Sequence, residues 1–316
     1  MKNWKPGTAQ ETLRARAALL ADLRRFFAER GVLEVDTPLL GSSTATDVYI
    51  DSFAVFDTTP AIPVTQYLQT SPEFAMKRLL AAGSGAIYQL GKVFRRGESS
   101  PRHNPEFTLL EWYQPGYSLT ELMDEVEILL QAVLACGPIA RLSYRELFQQ
   151  HLHFDPHRMS PEALRNYARA RIDFGSDDFS ATDYLQMLLA QCIEPELPEF
   201  CFIYDYPVAQ AALARIETDA EGQAVARRFE LFGRGMEIAN GYFELTASEE
   251  QRIRFESDNA RRAALGLTQY PIDELLLAAL DSGLPACSGV ALGVDRLLML
   301  LLGVDDIRQV ISFTNS

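Results

Sequence analysis

The sequence has few cysteines, little positive charge and no long apolar run, and each shortage removes a class of function. Its four cysteines, Cys136, Cys192, Cys201 and Cys287, lie far apart with no CxxC pair. That spacing gives neither a disulfide framework nor a zinc knuckle, and they are expected to be small buried side chains. No apolar stretch follows the polar start MKNWKPGTAQETLR, and the longest apolar run, Leu297 to Val304, is far too short to cross a bilayer. The expectation is a soluble, cytoplasmic protein with no membrane partner. Lysine and arginine number 29 against 43 aspartates and glutamates, a net charge of −14. A surface that acidic repels phosphate backbones unless basic residues gather at one place, so general nucleic-acid binding is disfavoured. There is no Rossmann glycine fingerprint, no internal repeat and no low-complexity linker. What remains is 316 residues, 47% of them hydrophobic, enough to bury a large core in one sizeable domain or two unequal ones.

Against the acidic background, Lys92, Arg95, Arg96 and Arg102 fall within one short stretch opposed only by Glu98, with His103 following. Such a local cationic site in an acidic chain suits a compact anion such as a nucleoside triphosphate; the alternative is a solvated loop.

Apolar Leu19, Leu23, Phe26 and Phe27 predict a helix over 12–30, with Gly31 placed to end it. Val32 to Val35 reads as a strand stopped by Thr37-Pro38, and a further short strand lies near Phe53 to Phe56. Ser71-Pro72-Glu73 reads as a helix start, with serine capping and proline in the first turn, running to about Ala82. Strands near 86–94 and 107–113 flank the basic loop. Ser118 and Glu121 form a capping box for a helix over 119–135. Residues 138–197 read as a mainly helical insertion; its His151, His153 and His157 belong to a turn-rich stretch, not a metal-ligand pattern. Strands return from Phe200, and Ser248 with Gln251 predicts a capped, charged helix ending near Gly266. A helix at about 272–281 precedes the last strand and helix. The pattern is α+β with an antiparallel sheet flanked by helices, in a single catalytic domain over 1–316.

Three constellations carry chemistry. In GVALGVDR, strand alternation puts Gly289, Ala291 and Gly293 on one almost bare face and Val290, Leu292 and Val294 on the other. A flat ligand could lie on that face, with Arg296 at its edge; close helix packing on small residues is the alternative. In Glu237-Ile238-Ala239-Asn240-Gly241-Tyr242-Phe243-Glu244, an Asn240-Gly241 hairpin turn would oppose Glu237 to Glu244, a carboxylate pair suited to Mg²⁺ or an ammonium. Gly233-Arg234-Gly235 competes as the turn. In VFRRGESSPRHNPEFTLLEWY, arginine forks suit phosphate, while Glu106, Glu111 and Tyr113 place acidic and aromatic groups on the returning strand. Glu73 could serve either as a helix-dipole partner or as a ligand.

These segments resemble a known family. EVDTP at 34–38 is similar to class II aminoacyl-tRNA synthetase motif 1, FRRGESSPRHNPEFTLLEWY at 94–113 to motif 2, and GVALGVDR at 289–296 to motif 3. The HNPEFTLLEWY string resembles the lysyl-tRNA synthetase branch, as do SPE at 71–73, FIYDYP at 202–207 and NGYFEL at 240–245. With the first helix near residue 12 and no anticodon-binding OB domain expected, the chain resembles most the short paralogues that ligate (R)-β-lysine to a lysine of elongation factor P. The resemblance implies ATP and Mg²⁺ as cofactors, elongation factor P and lysine or β-lysine as partners, a homodimer through motif 1, and no stable tRNA binding. It implies that Arg95 holds the α-phosphate and substrate carboxylate and Arg296 the γ-phosphate, as the catalytic pair. Arg96, Gly97, Asn104, Glu237, Ile238 and Gly293 would complete the ATP site. Ser71, Pro72, Glu73, Tyr113, Glu244 and Ala291 would bind the amino acid, and Glu237 with Glu244 would hold Mg²⁺. Two departures stand out: Arg95-Arg96-Gly97 replaces the frequent Arg-Asn-Glu, and Ala291 replaces a usual glycine, which favours β-lysine over α-lysine. The other readings are a truncated synthetase that charges tRNA and a non-catalytic, synthetase-like regulatory protein.

Overall fold

The computed structural model describes residues 4–59, 64–172 and 179–314. The fold is α+β, and the chain divides into two compact units, one made of the residues up to Cys136 together with those from Leu245, the other of Gly137–Glu244.

The first unit opens with α1 (Gln10–Glu29), which buries Leu19, Leu23, Phe26 and Phe27 along one stripe. The helix ends where Gly31 turns left-handed at φ +68°, a conformation that costs glycine no steric penalty. Strand β1 (Leu33–Glu34) follows, then β2 (Leu40–Gly41), β3 (Ala54–Asp57) and β4 (Val64–Leu68), which form a small antiparallel sheet in the order β2-β4-β3. Helix α2 (Glu73–Ala81) starts one residue later than the expected serine cap implies. Pro72 is its cap, and the Ser71 hydroxyl both accepts from Glu73 N (3.0 Å) and donates to Glu111. The long hairpin of β5 (Ile87–Phe94) and β6 (Glu106–Pro115) leads to α3 (Leu119–Leu134), whose Ser118–Glu121 capping box is formed as expected.

The second unit holds β7 (Ala140–Ser143), α4 (Tyr144–Leu152), α5 (Pro161–Arg169), α6 (Ala181–Leu188), β8 (Phe200–Tyr206), β9 (Ile216–Thr218), β10 (Ala224–Gly233) and β11 (Met236–Phe243). Its strands run β7-β8-β10-β11, with β7 parallel to β8 and β9 paired to β10. Tyr144, Leu147 and Phe148 of α4 pack with Leu164 of α5 and Leu188 of α6 against Cys201 and Ile203 of β8. The predicted helical stretch 138–197 is thus part of a unit that continues through β11.

The chain re-enters the first unit with α7 (Ser248–Ala264), α8 (Glu274–Gly283), β12 (Cys287–Gly293) and α9 (Val294–Leu302). The expected Ser248–Gln251 box does not form: Ala247 is the cap residue, and the Ser248 hydroxyl bonds Asp281 of α8 instead. The cysteines also divide, since Cys201 and Cys287 are buried while Cys136 and Cys192 are partly exposed.

Strands β1, β5, β6 and β12 make the sheet of the first unit, in that order. One face belongs to the core. Tyr88, Trp112 and Val290 stand in one cross-strand row there, and Phe27 of α1 stacks on Tyr88 at 4.4 Å with its edge toward Trp112 at 5.3 Å. The opposite face has the small residues.

Candidate active site

Register places the bare strand face beside specific neighbours. Gly289 pairs with Tyr113, Ala291 with Glu111 and Gly293 with Leu109; across β6 those three meet Ile87, Gln89 and Gly91. Because alternate residues share a face, Ala291, Gly293, Glu111, Tyr113 and Gly91 form one floor. The stem of Arg296 lies just beyond it: a Cβ built on Gly293 would sit 3.7 Å from Arg296 Cδ. At the other end of β5, Arg95 follows the same alternation, with its guanidinium 5.2 Å from the Phe107 ring and its Nε donating to Thr70 O at 3.4 Å.

An acidic cluster occupies the floor. Glu111 is 2% exposed and accepts from Ser71 Oγ and from Tyr113 OH, both at 2.7 Å. Lys77, on the turn of α2 after Glu73, donates to Glu73 Oε1 at 2.6 Å and is itself 1% exposed. Burial pushes the Glu111 carboxyl up to about 7, and the neighbouring Glu73 adds to this, while Ser71, Tyr113 and Lys77 pull the other way. Of the residues expected to bind the amino acid, Ser71, Glu73, Tyr113 and Ala291 are therefore brought together around Glu111, with Pro72 serving as the helix cap.

The basic loop between β5 and β6 is pinned at several points. Gly97 has φ +86°, which accounts for glycine standing where a side chain would be strained. Arg96 pairs with Asp51 at 3.0 Å. Asp51 in turn is bound to the fully buried Arg262, whose fork also donates to Asp47 O and Thr268 O. Burial alone would raise the Asp51 carboxyl, but Arg262 and Arg96 together bring it below its ordinary value. Glu98 turns back to Arg95 at 3.6 Å. Asn104 is buried and donates to Glu106 O at 2.6 Å.

Arg296 reaches the far end of the same loop, with Nη2 2.7 Å from His103 Nε2 and Nε 3.4 Å from Arg102 O. Arginine cannot accept, so His103 Nε2 accepts and its Nδ1–H donates to Ser100 Oγ at 2.7 Å. The two arginines expected to bind phosphate thus bracket one loop, Arg95 at its root and Arg296 at His103. Asp295, 2% exposed, fixes the start of α9. It accepts from Thr108 N of β6 and from Arg16 Nη1 of α1, both at 2.6 Å.

In the second unit the hairpin corrects one expectation. Gly233 pairs with Met236, so Arg234-Gly235 is the turn, with φ +50° and +68°. Asn240 and Gly241 lie inside β11, opposite Glu230 and Phe229, so Glu237 and Glu244 do not face each other across a turn. The register slips between Leu231 and Phe232, where Glu237 pairs with Phe232 and Ala239 with Leu231. Ile238 is the extra residue of this bulge. Since Glu230 and Phe232 are two apart, the bulge puts Glu237 on the face of Glu230 and Asn240, which alternation continues to Tyr242 and Glu244. Glu230 is paired to Arg228, which also donates to Asn240 Oδ1 at 3.1 Å and stacks over Tyr206 at 4.6 Å. Burial, with Glu237 alongside, pushes the Glu230 carboxyl up despite Arg228. Glu244 is buried, and its backbone bridges Ala214.

A family profile described as tRNA synthetases class II (D, K and N) matches residues 3–316. This chain belongs to that class II synthetase family. It is similar to the elongation factor P (R)-β-lysine ligase of Salmonella heidelberg strain SL476, with 48% identity over 98% of this chain and 97% of the relative. It is likewise similar to the ligase of the same name from Erwinia tasmaniensis strain Et1/99, with 49% identity over 99% of this chain and 97% of the relative.

Within this class II synthetase frame, the sequence assigns no role to Lys77, Asp295 or Glu230, and names His103 only as a neighbour of the basic stretch. Lys77 could have been found from its i+4 spacing to Glu73 on a helix. Asp295 could not, because its partner Arg16 lies 279 residues away.

Proposed function

We propose that this chain is a cytoplasmic, ATP-dependent, AMP-forming ligase that activates (R)-β-lysine, and α-lysine less well, as its adenylate and transfers it to a lysine side chain of elongation factor P. The observation that carries the reading is the floor of the first unit, where a buried carboxylate cluster suited to an ammonium shares a sheet face with Arg95 and borders Arg296. Few small substrates besides a cationic amino acid and a nucleotide would use both ends of such a surface.

In this reading Arg95 holds the α-phosphate and the substrate carboxylate, Arg296 the γ-phosphate, and Arg96, Gly97 and Asn104 the rest of the nucleotide over Gly293. Preorganised guanidinium groups aimed where charge develops supply most of the rate, and positioning supplies the remainder. Ser71, Pro72, Glu73, Tyr113, Glu244 and Ala291 select the diamino acid. The Ala291 methyl on the floor favours the β isomer. The bulge sets Glu237 and Glu244 on one face, and carboxylate oxygens are the donors a hard divalent cation takes, although among the described residues no group of three such ligands is gathered. Glu237 and Glu244 would hold Mg²⁺, and Ile238 would line the nucleotide. The ion would neutralise phosphate charge. The chain acts as a homodimer and does not bind tRNA stably.

Pyrophosphate exchange with (R)-β-lysine and α-lysine side by side, followed by mass measurement of elongation factor P, tests the reading. Exchange that prefers the β isomer, with one added lysyl mass on the acceptor, is expected. Exchange with neither isomer would refute it.

A further inference from the structure

The amino-acid subsite contains an ammonium of its own. A buried lysine is costly unless paired, and Lys77, 1% exposed, has its Nζ 2.6 Å from Glu73 Oε1. Its neighbours are acidic. On β6, Glu111 accepts from Tyr113 and from the Ser71 hydroxyl, which itself accepts from Glu73 N, and it feels both the repulsion of Glu73 and the attraction of Lys77. Helix α8, which packs on α2, brings only Glu274 and Asp281, both exposed and engaged with Arg252 and Ser248. Arg95 reaches no farther than Thr70 O, one residue before Ser71. At Glu111 the Glu73 carboxylate and the Lys77 ammonium act in opposite directions, so Lys77 offsets part of the repulsion between the two carboxylates. Without Lys77, the buried Glu111 and the partly exposed Glu73 would repel without that offset, and a proton would bind more readily to Glu111.

We propose that Lys77 is a positioning residue for substrate recognition: its buried ammonium anchors Glu73 and offsets one of the two carboxylates, so that Glu111 meets the substrate's ammonium as an anion. The proposal rests on the diamino-acid reading above and assigns Lys77 no contact with substrate.

The test follows (R)-β-lysine-dependent pyrophosphate exchange in the full chain from pH 6 to pH 9 for the wild type, Lys77→Met and Lys77→Arg, with a thermal melt of each. In Lys77→Met the acid limb of kcat/KM for the amino acid moves up, by at most about one pH unit, a loss of up to about tenfold below the limb that higher pH recovers. The change falls on the amino-acid KM, the KM for ATP stays within about twofold, and Lys77→Arg restores the limb. A residue that only supported the fold would lower kcat and the melting temperature without moving the limb. If Lys77→Met does not fold, Glu73→Gln provides the second measurement, since removing the other carboxylate moves the limb down. An unmoved limb in whichever variant folds overturns the proposal while wild-type exchange keeps the functional reading standing. Absence of wild-type exchange with both lysine isomers overturns both.

Discussion

Removing the carboxylate of Asp295 should unfasten α9 from β6 and α1 together. Asp295 is 2% exposed and accepts from Arg16 Nη1 and Thr108 N at 2.6 Å each, while the second arm of the Arg16 fork donates to Thr108 Oγ1 at 2.6 Å. Deleting one partner of a buried ion pair costs about 3–5 kcal/mol, and an orphaned buried N–H about 1–3 kcal/mol. The two figures overlap because one carboxylate serves both groups. Water also reaches Arg16, whose side chain is 17% exposed, so the lower end, about 3 kcal/mol, is the expected loss for Asp295→Ala. For a unit of this size that corresponds to a fall in melting temperature of about 10 °C. The assay is a thermal melt of Asp295→Ala, Arg16→Met and the double variant. The double variant should be less destabilised than the two single losses added together, because with both groups gone no charge is left buried alone. Pyrophosphate exchange should fall as well, since Arg296 takes its direction from the first turn of α9. Strictly additive losses, or a change of less than about 1 kcal/mol in Asp295→Ala, would refute the reasoning.

Three further outcomes are expected. Arg296→Ala should lower amino-acid-dependent pyrophosphate exchange by about 10²–10³-fold, as removal of a charged group aimed at the transferring phosphates does, with a melt changed by no more than the lost His103 contact; exchange at the wild-type rate would remove its role. Glu111 binds its proton more tightly in the folded chain than in the unfolded one, so the wild type should lose stability as pH rises from the ordinary carboxylate range toward neutrality. Glu111→Gln should flatten that slope in melts across this range and weaken the diamino acid in exchange assays; an unchanged slope would count against it. Gly97→Ala, forced to φ +86°, should cost about 1–2 kcal/mol in a denaturant melt, and a neutral result would show that the loop can relax.

Much of the first unit was legible because its signals are local. Gly31 ends α1 and Ser118 caps α3 through contacts within a few residues. The alternation Gly289, Ala291, Gly293 needs only the strand period, and the register with β6 shows that face carrying the acidic cluster. The failures began where a second element competed for the same group. Ser71 has the local signature of a cap, but its hydroxyl is shared with Glu111, forty residues away. Ser248 has the same signature, and its hydroxyl goes to Asp281 of α8. A hydroxyl able to cap is equally able to bridge, and local sequence does not hold the partner that decides.

The hairpin of β10 and β11 shows why the carboxylates were harder still. Asn-Gly is the better two-residue turn by propensity, and the glycines of Gly233-Arg234-Gly235 keep a second turn open; register with β10 selects Arg234-Gly235, with Arg234 itself at φ +50°. That choice alone would have separated Glu237 from Glu244, because seven residues along a regular strand lead to opposite faces. The bulge at Ile238 adds one residue and restores a common face, which Glu230 and Asn240 share. A bulge is defined by two residues opposing one on a partner strand, so a period counted along a single segment carries no trace of it. The pairing of carboxylates that suggested a cation was therefore reached by the wrong turn, and what keeps the two side chains on one face is an irregularity of the ladder.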